Sequence, residues 1–254
     1  MKTENAISIK LPEELIVLRE AGKILAKIIQ ELKSSLTSGI TTKDVDLKAE
    51  TIIRDHKVVP AFKGYRGFPA CICISLNEEV VHGIPGSRVI KDGDLVSLDV
   101  GIIYKNYFSD TAVSVGIGTI TPESQKLLDV TYQALYKGIE QAKVDNHLSD
   151  ISNAIQTYVE SNGLSVVRDF VGHGIGRRLH EDPEIPNYGP PHQGPILKEG
   201  MVLAIEPMVN IGTWPTKVLS DGWTVVTQDG KSSAHFEHTI SITKDGPEIL
   251  TQVG

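Results

Sequence analysis

Two aspartates interrupt apolar segments that otherwise have the character of β-strands. The stretch VSLDVGIIYKNYFSDTAVSVG predicts two strands joined by a tight turn at Lys105-Asn106, with Asp99 in the first strand and Asp110 in the second. A two-residue turn sets Gly101 opposite Asp110, so both carboxylates share one face, with backbones roughly 7–8 Å apart. Gly101 is expected to leave the space between them open. Because aspartate is rarely buried without a partner, the pair predicts a bound cation.

Three further metal-binding side chains lie in apolar or glycine-rich segments: Glu206 in MVLAIEPM, Glu237 in AHFEHTISI and His173 in FVGHGIG. Any one of them could be a satisfied polar residue of the core. Four clustered carboxylates would repel one another and protonate, whereas two divalent cations would balance their charge. We therefore expect a two-metal hydrolytic centre, and oxygen ligands with one imidazole favour Mn, Fe, Co or Zn. The predicted ligands are Asp99, Asp110, His173, Glu206 and Glu237.

The composition of the 254 residues, 40% hydrophobic and 22% charged, is that of a globular protein. A net charge of −7 with dispersed Lys and Arg argues against nucleic acid or an anionic membrane as the partner. The N-terminus lacks a secretory signal, and no run of 18 apolar residues occurs. Cys71 and Cys73 are too close together for a useful disulfide. We expect a reduced, cytoplasmic protein.

The elements that position these residues are predicted as helices followed by strands, twice over. Apolar spacing, prolines and N-caps predict helices from Pro12, from about Thr42 to His56, from Pro122 and from about Ser149 to Asn162. This order predicts an α+β fold. We expect one catalytic domain, 1–254, built of two similar halves of about 1–120 and 121–254.

A weak internal repeat supports the two halves. The segment IKDGDLVSLDVG aligns without a gap with LKEGMVLAIEPM, which places Asp99 over Glu206. VVHGIPG also resembles VGHGIGR, which places His82 over His173, although the different spacing requires an insertion in the second half. Duplication is favoured, and the alternative is that K-x-G-x-x-V is a common way to enter a strand.

Six motifs, in this order, resemble the bacterial type I methionine aminopeptidases: VVHGIPG, SLDVG, FSDTA, FVGHGIGRRLHEDP, MVLAIEPM and AHFEHTI. The likeness covers nearly the whole chain. It implies a pseudo-twofold pita-bread fold, an antiparallel sheet covered by helices, and removal of the initiator methionine from nascent proteins with a small second residue. It also implies two divalent metal ions per chain, nascent N-termini and the ribosome as partners, and a monomer in the cytoplasm.

The resemblance also implies a role for each ligand. Asp99 would bind one ion, His173 and Glu206 the other, and Asp110 and Glu237 both. The attacking group would be a hydroxide bridging the two metals, and Glu206 the general base that takes the proton from its parent water.

Two histidines match substrate-binding positions of the family and are the remaining catalytic candidates. His82 would lie near the scissile amide nitrogen, and His180 near the carbonyl oxygen. Phe62 and Leu179 depart from the residues common at their positions. The resemblance assigns the methionine pocket to Tyr65, Phe68, Cys73 and Trp223. The remaining histidines of this region and of the Pro-rich loop are interpreted as structural: His192, His235 and His238.

Two alternatives remain open. Prolidases and aminopeptidases P share this fold and ligand set, but they usually carry an additional N-terminal domain, whereas the first helix here is expected near residue 11. A binding protein that kept the fold and lost catalysis would typically have lost ligands. Methionine aminopeptidase activity is therefore the preferred prediction.

Overall fold

The computed structural model describes residues 7–253, and within them four α-helices form where caps and prolines predict them. Thr41 and Thr121 each accept a hydrogen bond from the backbone N–H three residues on, which fixes two of the helix starts. The predicted limits are confirmed to within one residue. Within this range no helix combines the length and apolar character that a bilayer span requires. The helices are α1 (Pro12–Ser34), α2 (Thr42–Asp55), α3 (Pro122–Ile139) and α4 (Leu148–Ser161).

Antiparallel strands form one large sheet and two small ones, which together with the helices confirm the α+β prediction. The strands are β1 (Val59–Pro60), β2 (Cys73–Leu76), β3 (Glu79–Val81), β4 (Leu95–Tyr104), β5 (Tyr107–Gly116), β6 (Ser165–Val166), β7 (Gly172–Gly174), β8 (Glu181–Ile185), β9 (Val202–Ile205), β10 (Met208–Asn210), β11 (Thr216–Val218), β12 (Val225–Thr227), β13 (Ser233–His235), β14 (Glu237–Thr243) and β15 (Gly246–Ile249). The large sheet has the order β1-β4-β5-β14-β9-β7-β8, with β2 beside β4 and β15 beside β14. The small sheets have the orders β13-β10-β6 and β11-β12-β3.

The β4–β5 hairpin has the predicted register. Its turn residues Lys105 and Asn106 have φ of 48° and 65°, the left-handed values that a tight hairpin turn requires. Gly101 pairs with Asp110, as predicted. The turn thus fixes which residues of the two strands face one another, because a slip by one residue would move every side chain to the opposite face.

The large sheet has a symmetric arrangement about the pairing of β5 with β14. β4 lies outside β5, and β9 lies outside β14, so the aligned segments 90–101 and 197–208 occupy corresponding positions. The predicted alignment of His82 with His173 is wrong. In this arrangement β7, which carries His173, corresponds to β2, whereas His82 follows β3. The register sets Ser75, not His82, in the place equivalent to His173 because Ser75 pairs with Ser97 and His173 with Ala204.

Alternation along the strands separates the core from the site. In β4 the even-numbered residues from Val96 to Ile102 pack with α1 and α2, while Asp99 and Gly101 face the other side. A second core forms where α3 and α4 pack on β9 and β14. The helices therefore support one face of the sheet and leave the opposite face available for polar side chains.

We expect Gly22→Ala to destabilise the protein, although alanine is the better helix former by about 1 kcal/mol. A Cβ at Gly22 in α1 would overlap the backbone carbonyl of Leu250, which cannot move as a side chain could. The free energy of unfolding in urea should fall by about 1–3 kcal/mol. Gly86→Ala is the matched control, because the nearest atom to its Cβ would be the Ile84 carbonyl oxygen at 3.9 Å. Equal stability of the two variants would contradict this packing.

Candidate metal centre and substrate cavity

Every residue predicted for the site lines one cavity of about 450 Å³ on the helix-free face of the large sheet. Acidic and imidazole side chains lie beside aromatic ones, which is the composition expected for binding a charged group and an apolar side chain together. The predicted residues in its lining are Tyr65, Phe68, Cys73, His82, Asp99, Asp110, His173, His180, Glu206, Trp223 and Glu237.

Sheet register brings two of the carboxylates into one row. Asp99 on β4 pairs with Ala112 on β5, and Ala112 pairs in turn with Glu237 on β14. Cys73 on β2 continues the row beyond Asp99. Because paired residues of adjacent strands point to the same face, Asp99 and Glu237 both face the cavity, with only the small side chain of Ala112 between them.

Asp110 and His173 belong to the next row. The Thr239 hydroxyl donates to the Asp110 carbonyl at 2.7 Å and accepts from the Asp110 N–H at 3.1 Å, which ties β5 to β14 at this point. Thr239 pairs with Ala204, and Ala204 with His173 on β7. Glu206 follows directly after β9. Four strands and one strand end therefore supply all five predicted ligands.

The space above Gly101 is not open, contrary to the prediction. A Cβ there would lie 2.5 Å from Cε1 of Phe62 and 3.1 Å from Cβ of Ala61. The glycine is needed so that the Phe62 ring can lie on the sheet beside the carboxylates, where it lines the cavity. The contact between Phe62 and Gly101 could not be predicted from the sequence, because Phe62 belongs to a loop whose path only the tertiary structure defines.

The carboxylates repel one another in a buried site. Burial raises the pKa of Asp99 and of Glu206 to about 7. Burial, together with the neighbouring negative charges, raises the pKa of Asp110 and of Glu237 well above the usual range. Among residues 7–253, one oxygen each of Asp99, Asp110 and Glu237 is buried without a hydrogen-bond partner. A cluster of this kind has the donor atoms and the unsatisfied charge that a divalent cation would compensate.

His173 is oriented for a ligand role by its own backbone. Its Nδ1 lies 2.9 Å from the Gly174 carbonyl, which can only accept, so Nδ1 carries the proton and the Nε2 lone pair remains free. Nε2 lies 3.5 Å from Oε1 of Glu206. One ligand atom each from Asp110, His173 and Glu237 falls within 4.8 Å of the others. These residues therefore fit a metal ion.

His235 is close to the site, although the sequence suggested a structural residue. Its Nε2 lies 3.4 Å from Oε2 of Glu206, and its side chain is 2% exposed. Glu206 thus has one imidazole near each of its oxygens, His173 on one side and His235 on the other. The H-x-E spacing with Glu237 was the available signal, because residues two apart on an extended segment share a face.

The two substrate-binding candidates are neutral imidazoles. Burial lowers the pKa of His82 to about 4 and that of His180 to about 3. Nδ1 of His180 lies 2.8 Å from the Tyr65 hydroxyl. His82 has a φ of 59°, which is uncommon for a residue with a side chain, and its ring contacts Phe170 edge to face at 5.6 Å. Such a strained backbone often marks a functional position.

The apolar part of the cavity is built from aromatic rings and small side chains. Phe68 and Trp223 meet edge to face with ring centroids 5.1 Å apart. Burial raises the pKa of the Cys73 thiol well above its usual range, so this residue contributes an uncharged side chain to the cavity lining. Leu179 also lines the cavity. Sequence reasoning missed Phe170 and Met208, whose proximity to His173 and Glu206 in the chain was the only signal.

Comparison with known proteins identifies the family. A profile of metallopeptidase family M24 matches residues 17–244. The chain belongs to metallopeptidase family M24. A protein of Bacillus subtilis (strain 168) named methionine aminopeptidase 1 is 57% identical over 244 residues, which cover 96% of this chain and 98% of that protein. As an M24 metallopeptidase, the chain is a metal-dependent peptide hydrolase.

Solved structures agree with this M24 assignment. A methionine aminopeptidase from Rickettsia prowazekii superimposes with a TM-score of 0.95 at 42% identity, over 96% of this chain and 99% of that one. A prolidase from Pyrococcus furiosus gives a TM-score of 0.78 at 24% identity, and the match covers 97% of this chain but 66% of that one. The M24 protein therefore has the pita-bread fold, as the resemblance implied.

The raised carboxyl pKa values predict how pH affects the metal-free protein. The unfolded chain's carboxyls titrate near about 4, so between about pH 4 and 7 the folded state binds more protons than the unfolded state. The stability gained from this proton binding is complete below about pH 4 and is lost as pH rises through about 7. We expect the Tm of EDTA-treated protein to fall as pH rises over this range. We also expect the gain in Tm that added Mn²⁺ produces to become larger as pH rises.

Thermal unfolding followed by circular dichroism measures both effects. Asp99→Asn is the control, because it removes one of the titrating groups and should flatten the pH dependence relative to the parent protein. A parent and variant with identical pH profiles would contradict the assigned origin of the effect.

Proposed function

We propose that this chain removes the N-terminal methionine from nascent polypeptides whose second residue is small. The observation that supports this most directly is the convergence of five metal-binding side chains on one cavity with an aromatic, sulfur-lined wall. Such a cavity suits a substrate with a charged amine close to an apolar side chain. The proteins described above from Bacillus subtilis and Rickettsia prowazekii carry the name methionine aminopeptidase, which favours this activity over that of an X-Pro peptidase.

We propose that two divalent ions are held by the predicted ligands. Asp99 would bind one ion, His173 and Glu206 the other, and Asp110 and Glu237 would contact both. The unpartnered oxygens of the three aspartate and glutamate side chains on β4, β5 and β14 support this assignment. When bound, the ions would activate a water molecule for attack and neutralise charge that develops on the peptide carbonyl. The ligand chemistry suits Mn, Fe, Co or Zn.

Glu206 is the proposed general base. Its side chain lines the cavity and is 14% exposed, so a water molecule in the cavity can contact it. The imidazoles of His173 and His235, 3.5 and 3.4 Å away, limit the orientations of its carboxylate. A carboxylate that takes a proton during attack on the carbonyl can deliver the same proton to the departing amine.

His180 is the proposed donor to the substrate's carbonyl oxygen. If the Tyr65 hydroxyl donates to Nδ1, the ring proton lies on Nε2 and is available to that oxygen. A donor of this kind contributes most when negative charge develops in the transition state. His82 is the proposed partner of the scissile amide nitrogen. Its neutral form at pH 7, due to burial, allows a hydrogen bond without an additional positive charge.

The methionine side chain is proposed to lie against Tyr65, Phe68, Cys73 and Trp223. Aromatic faces and a thiol form an apolar surface that favours a flexible thioether. We extend the proposal to the setting of the reaction: a monomer in the cytoplasm that meets nascent chains at the ribosome, because initiator methionines are exposed there first.

Release of methionine from Met-Ala-Ser in the presence of Mn²⁺ or Co²⁺ tests the proposal. We expect turnover of this peptide, none of its N-acetylated form, and little of an X-Pro dipeptide. The acetylated peptide is the matched control, since it keeps the side chain and loses the free amine. Preferential cleavage of the X-Pro dipeptide would replace the proposal with a prolidase function, and tight metal uptake without turnover would favour a binding protein.

Glu206→Gln tests the assignment of the base. The substitution keeps the size of the side chain and removes both a strong ligand and the proton acceptor, so we expect kcat to fall by about 10²–10⁴-fold. Circular dichroism should show an unchanged fold. Near-normal turnover of Met-Ala-Ser with full metal content would rule out this role. Glu184→Gln, on another residue of the cavity lining without an assigned role, is the control and should retain activity.

A further inference from the structure

A buried ion pair joins the start of the described chain to the residue after His180. Nζ of Lys10 lies 2.6 Å from Oε2 of Glu181, and the two side chains are 3% and 7% exposed. The partners are 171 residues apart in the sequence. No role in the reaction or in metal binding has been assigned to either of them above.

The Glu181 carboxylate closes the turn that carries His180. Its Oε1 accepts a hydrogen bond from the backbone N–H of Arg178 at 3.1 Å, while Oε2 accepts one from Lys10. One carboxylate thus links both ends of the turn 178–181 and also holds the turn to Lys10. His180 lies between the two ends that this carboxylate links.

Lys10 is itself fixed to the large sheet. Its N–H donates to the Gly200 carbonyl at 2.8 Å, and the Gly200 N–H donates to the Ile242 carbonyl at 2.9 Å. A Cβ at Gly176 would overlap Cε of Lys10, so the lysine stem fills the space beneath this glycine. Lys10 therefore connects the turn to β14 of the large sheet.

Stability alone does not account for the pair. Removing two charges from water carries a large desolvation penalty, and replacement of a buried pair by apolar residues is often neutral or stabilising. The surface pair Arg19–Glu248, with side chains 36% and 38% exposed, does not carry this cost. A buried pair beside an active-site residue is better explained by the orientation that it imposes.

We propose that Lys10, acting through Glu181, is a positioning residue that sets His180 for its contact with the substrate's carbonyl oxygen. This inference rests on the proposed function. The His180 ring also contacts the Tyr65 hydroxyl, in the short turn Tyr65–Gly67, and the His173 ring, whose centroid lies 4.3 Å away. His173 is held separately by the pairing of β7 with β8 and β9, so loss of Lys10 should leave the metal ligand in place.

Lys10→Met, which keeps the aliphatic stem and removes the charge, tests the proposal in the metal-loaded enzyme. We expect kcat for Met-Ala-Ser to fall roughly 10- to 100-fold, with KM and metal content close to those of the parent protein. Arg19→Met is the matched control, because it removes a positive charge from an exposed ion pair, and it should leave kcat unchanged. Unchanged kcat in Lys10→Met, or loss of metal with it, would overturn the proposal.

A double-mutant cycle separates positioning from general damage. If Lys10 acts through His180, Lys10→Met should cause no further loss of kcat in a His180→Ala background. The same fold loss in both backgrounds would overturn the proposal.

The double variant Lys10→Met/Glu181→Gln tests whether the loss of kcat comes from misfolding, because it leaves no unpaired buried charge. We expect its Tm to recover towards the parent value while kcat stays low, and recovery of kcat together with Tm would show that the pair serves stability only.

Hydrogen exchange provides a readout that does not depend on activity. The Arg178 amide should exchange roughly 10-fold faster in Lys10→Met than in the parent protein, because its acceptor is no longer held. The Ile175 amide, which donates to the Val202 carbonyl, should be unchanged. If the parent protein released no methionine, the proposed function would fail while this experiment still tested the contact. An unaltered Arg178 amide would overturn the positioning role in either case.

Discussion

Mutual repulsion among four carboxylates in a largely buried site is the constraint on which the rest of this structure depends. Burial and neighbouring negative charges disfavour their ionised forms, as the raised pKa values of Asp110 and Glu237 indicate. The sheet holds them in place through register, with the small residue Ala112 within the row of Asp99 and Glu237 and Ala204 within the row of His173. Backbone pairing and the two hydrogen bonds of Thr239 with Asp110 resist the separation that repulsion would otherwise produce.

The two faces of the large sheet have different roles, one in packing and one in forming the cavity. The helices pack on one face and supply two apolar cores, so the strands that carry the acids are supported by close packing on their other face. On the opposite face the acids form the base of the cavity, and loops add its aromatic lining and the neutral histidines. A preorganised site of this kind requires side chains locked by packing rather than by the substrate. The contact of Phe62 with Gly101 shows how closely wall and floor meet.

Local signals in the sequence predicted the helices and the central hairpin well. Thr41 and Thr121 cap helices because their hydroxyls satisfy the first free N–H groups, and this depends only on neighbouring residues. The turn at Lys105-Asn106 fixed the pairing of Gly101 with Asp110 for the same reason. The equivalence of His82 and His173 was wrong, because a short glycine-rich motif recurs in different structural contexts.

The sequence by itself determined the types of the candidate ligands, the strands that carry them and the M24 family, since composition, turn chemistry and motif order are properties of the chain. Only the tertiary structure decided that Phe62 fills the space over Gly101, that His235 approaches Glu206 and that Lys10 meets Glu181. Each of these contacts joins residues from separate elements. Their distances are set by how the sheet and loops pack, and no pattern along the chain encodes that packing.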